Sequence, residues 1–204
     1  MNKVKIGGTI LETKKIGVQD LINIGLFTAL YFVIVFIVGM TGAVPVMMIA
    51  LPVLIAFFGA VPVLLLVAKT QKFGVLSLCG IIVNVIMAIM GHPWPSMVIA
   101  IPLIIIGDLI MNVGKYKQWF WIITGYVVFS IWTTGGLLPF YIMRDKYFSN
   151  MKQNHGEDYA KAFDSVFTYQ VLPVIFILCI LGAIAGGFIA KQILKKHFQR
   201  SGVL

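Results

Sequence analysis

Six long apolar segments alternate with short polar or basic ones, over residues 21–40, 44–68, 73–90, 97–113, 119–142 and 169–194. Each approaches the roughly 20 residues that a helix needs to cross a hydrocarbon core of about 30 Å. The pattern predicts an all-α polytopic membrane protein with six transmembrane helices. The second segment carries Pro45, Pro52 and Pro62 and exceeds one straight crossing, so it is expected to be tilted, kinked or broken. Asp20 stands just before the first segment as the expected helix N-cap. Residues 1–18 read as a basic tail or surface helix. Residues 91–96, Gly-His-Pro-Trp-Pro-Ser, form an uncharged loop stiffened by two prolines. The one long connection covers residues 143–167, where Gly156-Glu157-Asp158-Tyr159 reads as a turn leading into a short amphipathic helix. The 204 residues are taken up by these segments, so a single integral membrane domain, 1–204, is expected.

Composition strengthens this reading. Hydrophobic residues make up 60% of the chain and charged residues 11%, and the mean hydropathy is +0.98. A soluble domain of this size cannot cover so much apolar surface. The net charge of +9 is concentrated in the N-terminal tail, the Lys69–Lys72 turn, the Lys115–Lys117 turn and the tail with Lys195, Lys196 and Arg200. In the long connection Arg144, Lys146, Lys152 and Lys161 are balanced by Asp145, Glu157, Asp158 and Asp164. Positive residues favour cytoplasmic loops, and an even number of spans puts all four basic segments on one side. Both termini are therefore expected in the cytoplasm, with residues 143–167 outside. No basic stripe with interleaved aromatics suggests nucleic acid. The first segment is long and lacks an A-x-A site, so it reads as a retained helix rather than a signal peptide. Cys79 and Cys179 lie within apolar segments and read as buried free thiols.

No nucleophile, acid–base pair or metal-ligand spacing of an enzyme is present, which points to transport or binding rather than catalysis. Asp108 is the one acid inside a segment, and an intramembrane carboxyl group reads either as a relay or as a polar anchor. Gly25 and Ala29 stand four apart, a spacing that lets another helix approach, whether within the chain or from a partner. Gly182, Gly186 and Gly187 read as internal packing. On the expected outer side, His92 and Trp94 share the stiff loop. Met47 and Met48 open the second segment, Trp132, Tyr141 and Arg144 lie toward the outer part of the fifth, and Tyr169 begins the sixth. Together they suit a flat hydrophobic ligand. His92 reads either as a ligand-binding group or as part of an interfacial turn, and His155 as a solvated side chain.

Asp20-Leu21-Ile22-Asn23-Ile24-Gly25, the loop Gly91-His92-Pro93-Trp94-Pro95 and the tail Lys195-Lys196-His197-Phe198 carry a resemblance along nearly the whole chain. The sequence resembles the Trep_Strep family of bacterial integral membrane proteins, assigned as substrate-binding S components of energy-coupling factor (ECF) importers. That resemblance implies a transmembrane T subunit that docks at Gly25 and Ala29. It also implies two ATPase subunits or domains, because this chain has no phosphate-binding loop of its own. Heme is the expected transported ligand, with His92 on the iron and Arg144 or Lys146 on the propionates. The alternatives are a vitamin or nucleobase-like precursor stacked on Trp94, and an assembly subunit without a small ligand.

Overall fold

The computed structural model describes residues 2–6, 9–13 and 15–198, apart from the side chains of the first fourteen residues, residues 43 and 45, and those after residue 195. Within the segment expected as a loose tail or surface helix, the described residues 2–6 and 9–13 differ: they pair as two antiparallel strands, β1 (Asn2–Ile6) and β2 (Thr9–Thr13), in the register Asn2 to Thr13. The described residues that follow form helices joined by turns and short irregular links.

α1 (Val18–Met40) shows why the chain forms a bundle in lipid. Ile24, Phe27, Tyr31, Val35 and Val38 recur every three or four residues and are buried. Ile22, Leu26, Leu30, Val33 and Ile37 on the other face are equally apolar and exposed. A helix that is hydrophobic all round belongs in a membrane. Gly17, not Asp20, is the N-cap; Asp20 lies three residues further on, where its carboxylate accepts from the Gly17 N–H at 2.7 Å. A short 3-10 turn (Thr41–Ala43) then leads into α2.

The second segment breaks as its prolines require. It becomes α2 (Pro45–Phe58) and α3 (Ala60–Thr70), joined at Gly59. Pro62 has no N–H to offer the preceding turn, and the joint falls just before it. α4 (Val75–Ile89) follows, then α5 (Trp94–Val113). Trp94-Pro95-Ser96 therefore form the first turn of α5 rather than a loop. The fifth segment is interrupted, giving α6 (Trp119–Ser130), α7 (Trp132–Gly135) and α8 (Pro139–Ile142). The long connection is two helices, α9 (Arg144–His155) and α10 (Glu157–Val166), hinged at Gly156 with φ of +90°. α11 (Val171–Phe198) closes the bundle; Arg200 lies outside the described residues.

Among the described residues, four helical stretches, against the six expected, are long and apolar enough to cross a membrane: Val18–Met40, Val46–Thr70, Trp94–Val113 and Val171–Lys195. α4, at 15 residues, spans only about 22 Å at 1.5 Å per residue. The interrupted run α6–α8 has no piece of full length. Packing is close. Gly182 of α11 lies against Val53 of α2, where an added Cβ would stand 2.7 Å from the Val53 carbonyl oxygen. The Gly182 cluster is thus internal packing, as its composition suggested.

Candidate functional site

One end of the bundle is fastened by polar groups. Asp108 is completely buried. Its Oδ2 accepts from Gly74 N at 2.9 Å, Ser77 N at 3.0 Å and Ser77 Oγ at 2.7 Å, and its Oδ1 accepts from the Tyr116 hydroxyl at 2.7 Å. A side chain of α5 thereby supplies the acceptor that the amino end of α4 lacks locally. Lys115 and Tyr116 both have positive φ, 53° and 57°, in the turn that returns the Tyr116 ring to Asp108. At the same end Lys72 pairs with Asp20 at 2.6 Å and donates to Lys15 O at 3.1 Å. Four hydrogen bonds from three residues hold the Asp108 carboxyl, which supports its reading as a polar anchor.

The opposite end holds the residues expected to bind ligand, and they divide among several places. His92, half-buried, lines an open cavity of about 360 Å³ between α1 and the end of α4. Val35, Phe36, Gly39 and Met40 form the α1 wall; Met87, Met90, Gly91, His92 and Pro93 form the other. None of these nine residues is charged. The His92 ring packs against Gly136, where a Cβ would stand 2.6 Å from Nε2. No hydrogen bond to the imidazole exists among the described residues. Burial holds its pKa below the usual value, which keeps it neutral at pH 7. Trp94 is not part of this cavity; it is 73% exposed at the start of α5.

A second cluster sits beneath α9 and α10. Leu137, Phe140, Tyr141, Phe163, Phe167 and Ile175 form its core, with Met48 packed against it. The Phe163 and Phe167 rings stack at 4.2 Å, and the Tyr141 and Tyr169 rings are 5.8 Å apart. Arg144 clamps the helical cap. It donates to Phe167 O at 2.7 Å, pairs with Asp164, and lies over the rings of Phe148 and Tyr169. The Tyr141 hydroxyl is buried and has no hydrogen-bond partner among the described residues. Met47 is exposed, and so is His155, whose ring lies 5.0 Å from Tyr159. Trp132 belongs to the core, where its indole N–H donates to the Tyr31 hydroxyl at 3.0 Å. The cysteines are free and buried.

Sequence reasoning missed the walls around His92. Met87, Met90 and His92 are close enough in sequence to have been found, since residues three apart share a helix face. Met40 and Gly136 carried no such signal, because only the fold brings them there.

Glycine-sized contacts between helices, apolar outward faces and several spans of membrane length together define an integral membrane protein. The chain belongs to the family described as hypothetical bacterial integral membrane protein (Trep_Strep), whose model matches residues 18–200. No curated protein and no solved structure matches it.

Proposed function

We propose that this protein is the S component of an ECF importer and that it captures heme at the cavity beside His92. The observation that carries the reading is the His92 imidazole, without a hydrogen-bond partner among the described residues, at the edge of an uncharged cavity with apolar and Met walls. A neutral imidazole offers iron a lone pair, and a macrocycle needs apolar contact. Heme is larger than the cavity and rests partly on its exposed residues Met40 and Met90. Arg144, one of the two cations expected for a propionate, is occupied by Asp164 and the Phe167 carbonyl.

The partner reading rests on α1. Gly25 and Ala29 face outward, and a Cβ on Gly25 would meet nothing within 4 Å. That open small-residue face suits a T subunit helix, and ATP hydrolysis belongs to the two ATPase subunits or domains. In this reading α1, α2–α3, α4, α5, α6–α8 and α11 are six crossings. The lysine-bearing turns at 69–72 and 115–117 and both termini are cytoplasmic, and His92 is extracellular.

The test is an absorption spectrum and mass spectrum of protein purified from a heme-containing culture. Wild type is expected to carry heme with a Soret band that His92→Ala shifts or loses. Wild-type protein that neither retains heme nor takes it up on addition would overturn the ligand; copurification with T and ATPase subunits tests the assembly separately.

A further inference from the structure

The hairpin α9–α10 sits on the bundle with little of its own surface buried. α9 carries no buried side chain, and α10 buries only Ala160 and Phe163. Phe163 and Phe167, which follows α10, are completely buried. They meet Phe140 of α8 at ring distances of 5.0 and 5.6 Å, and Phe167 lies 6.1 Å from Tyr141. Tyr147 of α9 adds one more ring against Phe140, at 5.2 Å. A segment held by few buried apolar contacts belongs to the low end of local stability.

The hairpin is tied to itself at both ends. At its base Arg144, the first residue of α9, donates to Phe167 O and pairs with Asp164 near the end of α10. Near its turn Lys152 pairs with Glu157 at 3.3 Å. Between these ties the Phe148 and Phe163 rings lie 5.7 Å apart across the two legs. The legs therefore move together. The backbone leaves helical geometry where the hairpin joins the bundle. Met143 has φ of −116° and ψ of 39°, and residues 168–170 lie outside any helix. Short stretches of this kind at the ends of elements absorb changes in φ and ψ while the packed elements stay intact.

One group beneath the hairpin is left unsatisfied. The Tyr141 hydroxyl is buried without a hydrogen-bond partner among the described residues, and its ring neighbours are Phe167 and Tyr169, on the way from the hairpin to α11. A buried hydroxyl without a partner disfavours the arrangement that buries it. We propose that α9–α10 is a lid, closed in this structure, which pivots as one body at Met143 and residues 168–170 and uncovers an aromatic mouth formed by Leu137, Phe140 and Tyr141. Phe163 and Phe167 are its plug. Lifting them opens the Tyr141 hydroxyl to water or to the hydrogen-bonding group of an apolar ligand. Gly136, next to Leu137, packs against His92, so the mouth borders the His92 cavity. The lid does not depend on which ligand that cavity takes.

Spin labels on Asn154→Cys in the hairpin and Ile89→Cys at the end of α4, both exposed positions, report the movement by double electron–electron resonance on the full chain in lipid nanodiscs. Cys79 and Cys179 are buried and stay unlabelled. The labelled chain is expected to show one main distance and a second, minor one. Phe163→Ala should raise the minor population relative to the main one at least about tenfold, and Phe163→Leu should raise it less. Adding Tyr141→Phe should reverse part of either rise, because the orphaned hydroxyl is gone. Hydrogen exchange should find the α9 and α10 amides protected throughout. A single, unchanged distance in both Phe163 variants overturns the lid. Exchange of the α9 and α10 amides at the rate of an unfolded chain, in step with the second distance, also overturns it, because the hairpin then unfolds instead of pivoting. A rise of the minor population on adding Tyr141→Phe overturns the role given to that hydroxyl.

Discussion

Removing the Asp108 carboxyl should unfasten one end of the bundle. Asp108→Ala leaves four donors without their acceptor: the Gly74 and Ser77 amides, the Ser77 hydroxyl and the Tyr116 hydroxyl. A buried polar group without a partner costs about 1–3 kcal/mol. Gly74 is only half-buried, so water relieves its amide, and the expected loss is about 3–5 kcal/mol. Tyr116→Phe removes one donor and leaves Asp108 three bonds, so it should cost only about 1 kcal/mol. Equilibrium unfolding in mixed detergent micelles measures both. Unfolding of Asp108→Ala at the wild-type midpoint, or an equal loss in Tyr116→Phe, would refute the anchor. A functional relay would instead change uptake while leaving the unfolding midpoint in place.

Leucine at Gly182 should cost about 3 kcal/mol by forcing α11 from the Val53 backbone, whereas Gly25→Leu with Ala29→Leu should unfold like wild type yet fail to copurify with a T subunit. A normal complex from that double variant would remove α1 as the docking face. Cysteines at Lys69 and Lys115 should resist impermeant thiol reagents in intact cells while one at Asn154 reacts; the reverse pattern would invert the orientation. In the ligand-free protein, proton resonances of His92 should titrate with a midpoint below 6.5. The folded pKa is depressed, so the contribution of this group to stability is complete above about pH 6.5 and is lost as the pH falls through the folded value. A midpoint at or above 6.5 would contradict the burial of the ring.

The apolar pattern alone determined that the chain is a helical membrane protein, because spanning a bilayer demands long runs whose backbone hydrogen bonds close within the helix. The break near Pro62 was legible for the same kind of local reason: a missing N–H. So was internal packing at Gly182. Other features depended on non-local partners. Nothing in the order of residues says that Gly74 and Ser77 will cap α4 with a carboxyl from α5, or that the Arg144 clamp will order residues 143–167 as a helical cap. The interruption of α6–α8 follows from neither length nor hydropathy. The candidate site shows the same division. His92 stood out by its rigid, uncharged setting, but Trp94 turned outward once its own proline-flanked stretch became the first turn of a helix. Met40 entered the site from α1, about 50 residues away in sequence. Periodicity reports which face a residue occupies on its own helix; which face meets which is decided by the packing of one helix against another, and only the tertiary structure holds that information.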